Sequence, residues 1–318
     1  MLDVRRMRVL LEVATRGSMS AAADALNYTP SAVSQQIATL ERESGVALVE
    51  RGPRSITLTD AGRALAEHAE IILARLEIAE TEVREIAGLH GGRLRLATFR
   101  SAGETIMAQA ITRFHRQHPE VELTLIEGEP EDYLPLIRSG RVDLGLGFEY
   151  DHVPRVDIES SEERLLMEDR IGVALPLGHR LTAAGPGAGP IDLGELREEA
   201  WIGSTPRSSV HAFTQNLCRT AGFEPQIKFE TDDYHVAQAH VATGIGIAFL
   251  PELAAATAHP GVVFRHVGPA VPTRRIFAVY RAGGLRSPTT SAMVDVLEQV
   301  CLVAQGQRGT ELRAVADG

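Results

Sequence analysis

The sequence predicts an α/β protein in three parts: a small helical head that ends in a β-hairpin, one long helix, and a larger body of alternating strands and helices. Three observations carry this. Two short helical segments, Ser18–Leu26 and Thr29–Leu40, are separated by a two-residue turn. Apolar residues then recur every seven positions between Leu65 and Ile86. After Gly92 the pattern switches to short apolar strands interleaved with helices of mixed polarity. A chain of 318 residues suits two or three domains.

The bulk numbers narrow the class. Hydrophobic residues make up 44% of the chain, enough for real cores, yet no apolar run is long enough to span a bilayer. The first twenty residues contain four arginines and two acids and no export-signal core, so a cytoplasmic protein is expected. Cys218 and Cys301 are the only cysteines, too few for a disulfide scaffold or a cysteine-rich metal site. The formal net charge of −10 argues at first against a nucleic-acid partner. Residues 1–60, however, hold seven arginines against seven acids, and the acidity lies downstream. A neutral head can bind DNA when its arginines share a face, and two heads double the phosphate contacts.

The head, expected over residues 1–58, opens with a helix whose stripe is Val4, Met7, Leu10, Leu11 and Val13. Gly17 stops it and Ser18 caps the next helix, where Ala21, Ala22, Ala23, Ala25 and Leu26 allow a close crossing. Asn27 and Tyr28 make the turn. The third helix has Thr29 as N-cap and Pro30 at its first position, and Val33, Ile37 and Leu40 form its buried face. Ser31, Ser34 and Gln35 point elsewhere, with Gln36 at the boundary. Serine and glutamine reach phosphates and base edges, and a helix N-terminus favours a phosphate. Ser34 and Gln35 are the first candidates for reading bases, then Gln36. Two strands around Gly52-Pro53 form a hairpin with Arg51 and Arg54 at its tip, suited to the minor groove or flanking phosphates. Each piece alone has a plainer explanation in helix packing or solvated arginines. The combination within sixty residues favours a DNA-binding head.

Thr59 can cap the long helix, expected over 59–89. Leu65, Ile72, Ala79 and Ile86, with Ala69, Leu76 and Val83 four residues along, form an a/d pattern. A helix of roughly 40 Å leaves this stripe exposed unless it is covered. Leu65, Ile72, Leu76 and Val83 are therefore read as a dimer seam; the alternative is packing on the same chain.

The body is expected over 90–305, one lobe at about 90–162 and 268–305 and the other at about 163–267, with a flexible tail at 306–318. Strands are expected at Arg93–Thr98, Val121–Ile126, Val142–Phe148, Ile171–Pro176, Gly246–Leu250, Val262–Val267 and Ile276–Tyr280, and a closing helix at Ala292–Val303. The opening βαβαβ order predicts a mainly parallel sheet, and Gly185–Pro190 a surface loop. Ligands in such folds lie beyond strand C-termini and at helix N-termini. That rule selects Arg100, Ser101, Gly128, Glu129 and Phe148 on one side, and Ser204, Thr205 and Thr231-Asp232 on the other. Ser101 and Thr205 could bind a ligand oxygen, and Arg100 could pair with a carboxylate. The plainer alternatives are helix caps for the hydroxyls and core packing for Phe148.

No catalytic set is visible. His115 and His118 share a helix face without a third ligand, Cys218 has no base partner, and no Gly-x-Ser-x-Gly or phosphate loop occurs. No metal, cofactor or enzymatic activity is expected.

The chain closely resembles the LysR-type bacterial transcriptional regulators. The resemblance rests on Ser18-Met-Ser-Ala-Ala-Ala, Ser31-Ala-Val-Ser-Gln-Gln-Ile with Leu40-Glu-Arg, Gly45-Val-Ala-Leu-Val-Glu-Arg and Leu58-Thr-Asp-Ala-Gly62. In the body it rests on Gly92-Arg-Leu-Arg-Leu, Phe114 through Pro119-Glu-Val, Leu136–Leu144 and Gly244–Pro251. It covers about residues 3–300. It implies a winged helix-turn-helix head, a dimerisation helix and a two-lobed, periplasmic-binding-protein-like effector domain. It also implies promoter DNA, a second copy, a dimer of dimers, a small-molecule effector and RNA polymerase as partners. Met19 stands where the family usually has an aromatic, Ala47 and Val49 where it has proline then phenylalanine, and the usual proline near Gln109 is absent. Glu127 and Glu129 beside the expected site weaken the case for a strongly anionic effector unless Arg100 compensates. The expected function is an effector-controlled transcription factor. The alternatives are an effector-independent repressor or architectural protein with a vestigial cleft, and a small-molecule binding protein without a regulatory DNA role.

Overall fold

The computed structural model describes residues 1–52, 56–86, 92–150, 153, 161–182, 189–268, 271–282 and 286–316. The chain divides into two compact units, residues 1–91 with 135–142, and residues 92–134 with 143–318.

The first unit begins with α1 (Val4–Arg16), capped by Asp3, whose side chain accepts the Arg5 N–H. Gly17, at φ 63°, ends it in the left-handed conformation that glycine adopts without strain. Ser18 then caps α2 (Met19–Leu26), and Asn27 at φ 54° turns the chain toward α3 (Pro30–Ser44). The faces of α1, α2 and α3 meet in one core of Leu10, Val13, Ala22, Ala23, Val33, Ile37 and Leu40. Strands β1 (Val49–Arg51) and β2 (Ile56–Leu58) pair antiparallel as the hairpin. The Glu41 carboxylate fastens the hairpin by accepting the Leu48 and Val49 N–H groups at 2.9 and 3.3 Å.

Helix α4 (Asp60–Ile86) follows, with Thr59 Oγ1 accepting the Gly62 N–H at 3.0 Å. Its first turns belong to the head: Ala66 lies in the head core and Leu65 packs against it. Leu65 is thus held by its own chain rather than left free along the expected seam. Farther on, Ile72, Leu76 and Val83 are exposed, Val83 by 66%.

The second unit begins with β3 (Gly92–Thr98), which leads into α5 (Arg100–Ala102), a wide turn at Gly103–Met107, and α6 (Ala108–Gln117). Next come β4 (Val121–Glu127), α7 (Pro130–Arg138) and β5 (Leu144–Tyr150). Strand β6 (Ser161–Pro176) is sixteen residues long. Then follow β7 (Ala200–Gly203), α8 (Ser209–Thr220), β8 (Gln226–Glu230), α9 (Tyr234–Ala242), β9 (Ala248–Pro251) and α10 (Glu252–Ala255). The chain closes with β10 (Val262–His266), β11 (Thr273–Arg281) and α11 (Pro288–Ala316).

The sheet is mixed, not mainly parallel. In the main sheet β3 pairs in parallel with β4 and β5, β11 lies antiparallel to β5 and β6, and β6 antiparallel to β9 and β10, while β7 and β8 pair in parallel as a separate two-stranded sheet. The late strands return from the far end of the chain, and local βαβ patterning says nothing about their direction. Apolar side chains gather in two main clusters. One holds Leu94, Leu96, Phe114, Leu144, Leu146, Ile276 and Leu297; the other holds Tyr150, Val173, Trp201, Phe213, Phe249 and Val267. Strand β6 serves both. Residues 161–170 pair with β11, and 171–176 lie between β9 and β10. The change of pairing partners along β6 falls at Arg170/Ile171. Gly172 just past it is forced by space, since a Cβ there would lie 2.5 Å from the Arg265 carbonyl oxygen.

Two further expectations change. Helix α11 continues through Ala316, so the stretch expected as a tail from 306 is helical. The third strand starts at Leu144 rather than Val142, because Val142 is tied by its N–H to the Leu136 carbonyl in the preceding turn. The expected loop at Gly185 and its neighbours lies largely outside the described residues.

Candidate functional site

The head presents the start of α3 to solvent. Thr29, in extended conformation, accepts the Ala32 N–H on Oγ1 at 3.2 Å, and its hydroxyl lies 2.9 Å from that of Ser31. Thr29, Pro30, Ser31 and Gln35 are exposed, while Ser34 and Gln36 are half-buried. Val33, Ile37 and Leu40 on the opposite face are fully buried. The α3 sequence therefore offers an exposed polar first turn at the positive end of the helix dipole, over an apolar underside that fixes its direction. Arg51 ends β1, but its side chain and all of Arg54 lie outside the described residues.

In the second unit the expected ligand residues come together where the two apolar clusters meet. Phe148 packs against both clusters and makes edge-to-face contacts with Phe99 at 4.7 Å and Tyr150 at 5.6 Å. The rings continue through Phe213 and Phe249 to Trp201. Ser101 is buried at the start of α5, Gly128 and Glu129 follow β4, Ser204 and Thr205 follow β7, and Thr231 follows β8.

Most of these groups already have partners in the chain. Arg100 pairs with Asp233, which caps α9, and lies 3.3 Å from Glu127. Thr205 donates its N–H and its hydroxyl to the two oxygens of Asp232, at 2.9 and 2.7 Å. Thr231 Oγ1 accepts the Asp233 N–H at 3.1 Å, and the buried Ser204 engages His211 through its carbonyl oxygen at 2.9 Å. His235 stands 3.0 Å from Glu104. Arg100 with Asp233, and Glu104 with His235, thus join the segment after β3 to the start of α9.

The centre is a residue the sequence reasoning missed. Arg274 on β11 is 1% exposed. Its Nε and Nη2 donate to Asp169 Oδ2 at 3.0 and 2.8 Å, Nη2 also donates to Ser101 Oγ at 2.7 Å, and the guanidinium lies over Phe99 and Phe148 at 5.0 and 5.1 Å. Asp169 Oδ1 in turn accepts the Leu253 N–H at the start of α10. Burial works most strongly against the charge on Arg274, but Asp169, Tyr150 and Tyr234 together outweigh it and raise the pKa above the ordinary arginine value. A period-two pattern could have found this residue. Arg274, Ile276, Ala278 and Tyr280 share the buried face of β11.

Glu129 behaves differently. Its carboxylate has no hydrogen-bond donor among the described residues, and burial, reinforced by Glu131, Asp232 and Asp132 and opposed by Arg274, pushes its pKa to about 7. Burial also raises Tyr150 and Tyr234, which hydrogen-bond to each other. Burial lifts the Cys218 thiol to about 12, which leaves it protonated and a poor nucleophile. Among the described residues no group of three or more His, Cys, Asp or Glu is placed to hold a metal, and no helix is long and apolar enough to cross a membrane.

Comparison with known proteins bears on both regions. Residues 4–63 match the family model described as bacterial regulatory helix-turn-helix protein, lysR family. Residues 87–302 match the LysR substrate binding domain. The chain is 31% identical over 298 residues to the "Probable HTH-type transcriptional regulator LrrA" of Synechococcus elongatus, covering 94% of this chain and 97% of that protein. Full-length OxyR from Pseudomonas aeruginosa shares the fold at a TM-score of 0.71 and 21% identity, with 95% of each chain covered. Full-length CbnR in complex with its target DNA superposes at a TM-score of 0.62 and 23% identity, covering 94% of this chain and all of that one (100%).

Proposed function

The chain belongs to the LysR family of transcriptional regulators, which are not enzymes, and from that membership we propose how its parts divide the work. The start of α3 enters the major groove, with Ser34 and Gln35 reading base edges and Gln36 next to them. Thr29, Pro30 and Ser31 meet the backbone, and Arg51 and Arg54 reach flanking phosphates or the minor groove. The observation that carries this is the exposed polar turn Thr29–Ser31 with Gln35, set over the buried Val33, Ile37 and Leu40. CbnR, of the same fold, has been solved with its target DNA.

Two copies join through α4. The exposed Ile72, Leu76 and Val83 support this, because a stripe of apolar residues on a long helix is covered in a stable assembly. Two heads presented together match the twofold symmetry of operator DNA. A dimer of dimers, acting with RNA polymerase in the cytoplasm and without a cofactor, completes the reading.

The effector site is the cleft around Ser101, Glu129, Phe148, Thr205 and Arg274. A small molecule there shifts the relative pose of the lobes and, through the paired arms, the bend imposed on promoter DNA. The experiment is a pair of binding curves on operator and random DNA. Gln35→Ala is expected to lose affinity for operator while retaining random binding, and equal loss on both would remove it from base reading. Footprints and bending that stay unchanged with a bound effector would remove the population-shift mechanism.

A further inference from the structure

The hydrogen-bonding capacity left over in the cleft is split by sign. On one side stand donors. Nη1 of Arg274 has no acceptor among the described residues, although Nε and Nη2 are fully engaged. The residue as a whole is 1% exposed, so bulk water does little to satisfy that nitrogen. Ser101 accepts from Arg274 on Oγ and keeps its own O–H to give, with no acceptor among the described residues. Phe99 and Phe148 flank the guanidinium and fix its plane. A buried guanidinium nitrogen without an acceptor among the described residues calls for an acceptor oxygen.

On the other side stand acceptors. The Glu129 carboxylate meets no donor among the described residues. Asp232 takes one hydrogen bond on each oxygen, both from Thr205, which leaves a lone pair on each. The Thr205 hydroxyl has spent its proton on Asp232 and can only accept. Among the described residues no cation forms an ion pair with Glu129 or Asp232: Arg100 is bound to Asp233 and Glu127, and Arg274, which acts on Glu129 only through its charge, is bound to Asp169. Glu129 comes from the first lobe and Asp232 from the second, and the two repel each other.

We propose that the effector is a small zwitterion of the α-amino-acid class, its carboxylate taken by Arg274 Nη1 and the Ser101 hydroxyl and its ammonium held between Glu129 and Asp232. A carboxylic acid alone leaves the carboxylate pair repelling, and an amine alone leaves the buried guanidinium nitrogen unmet. A molecule with both ends answers both and replaces a repulsion between lobes with a bridge. This rests on the cleft being the effector site.

The test uses the full chain, with thermal unfolding and the fluorescence of the single Trp201 as readouts. Each proteinogenic amino acid is added at about 10 mM, followed by the des-amino and des-carboxy analogues of any that bind. At least one amino acid is expected to raise the melting temperature, and both its analogues to fail. Glu129→Gln is expected to weaken that amino acid about tenfold or more while folding is verified by circular dichroism. Affinity is also expected to fall between pH ~8 and pH ~6, as Glu129 takes up a proton in the field of Glu131, Asp132, Asp232 and Arg274 and beside Tyr133, Tyr150 and Tyr234. No response to any amino acid overturns the proposal. Binding of a plain carboxylate that Ser101→Phe abolishes overturns the zwitterion but keeps the cleft. Amino-acid binding that survives both Ser101→Phe and Glu129→Gln moves the site elsewhere and removes the cleft reading itself.

Discussion

Replacing Glu129 with glutamine is expected to stabilise the effector-free protein, and to do so only above a certain pH. The folded-state pKa of Glu129 lies at about 7 against 4.5 for the free side chain, with desolvation as the leading cause. A carboxyl raised in this way favours folding only while protonated. Its penalty sets in as pH rises past about 4.5 and is complete above about 7, where a shift of roughly 2.5 units corresponds to at most about 3 kcal/mol. Glutamine has nearly the same shape and no proton to lose. The variant should therefore exceed the parent by about 1 kcal/mol at pH ~5.5 and by about 3 kcal/mol at pH ~8.5. Urea unfolding followed by Trp201 emission at the two pH values measures both differences, and Trp201 reports the unit that contains Glu129. A gain that is the same at both pH values, or a parent more stable at pH ~8.5, would refute the argument that burial and like charge dominate at this position.

Other substitutions separate the remaining forces. Gly62→Ala places a Cβ 2.0 Å from the Leu48 carbonyl oxygen, so thermal unfolding should show a loss of about 2 kcal/mol or more, with weaker operator binding. Arg274→Met leaves Asp169 charged and unpaired in the core, an expected loss of about 3–5 kcal/mol. Adding Asp169→Asn, which still accepts the Leu253 N–H, should restore much of it in the same denaturation assay, and no restoration would mean that the ring contacts of Arg274 dominate. Leu76→Glu puts a charge on the exposed stripe of α4, and sedimentation at low concentration should show the dimer lost.

The head was legible in the sequence because its instructions are local. Gly17, Ser18, Asn27 and the Thr29-Pro30 pair each act within a turn of themselves, and the structure uses each as a cap or stop. The body was legible only where it obeys local rules. Strands β3, β4 and β5 and the loops after them fall where apolar runs and helix starts place them. The first ten residues of β6 are mostly charged and give no strand pattern; they become a strand because β11 pairs with them from more than a hundred residues away. The Arg274–Asp169 contact depends on that register, so no window of sequence around either residue announces it. The polar partners of Arg100 and Thr205 were hidden for a like reason: Asp233 lies more than a hundred residues from Arg100, and Asp232 meets Thr205 only because β7 and β8 lie side by side.

Such long-range pairs set the scale of what an effector must do. Arg100–Asp233 and Glu104–His235 each join an element beside β3 to the start of α9, and all four side chains are about a third or more open to water. At that exposure Arg100–Asp233 contributes at most about 1 kcal/mol, and Glu104–His235 acts as an ion pair only while the imidazole is protonated. Taken by themselves, such exposed pairs would bias any second arrangement of these elements only weakly. A ligand shifts such an equilibrium only by its differential affinity for the two arrangements. Touching one lobe alone therefore changes nothing, however tight the contact. The Glu129–Asp232 pair is where that difference can be made. Both are carboxylates, they face each other from opposite lobes, and their repulsion opposes the two bridges beside them. Cancelling it moves the equilibrium in the direction the bridges already favour, so a weakly bound molecule placed between them can move the lobes more than a tightly bound one placed elsewhere.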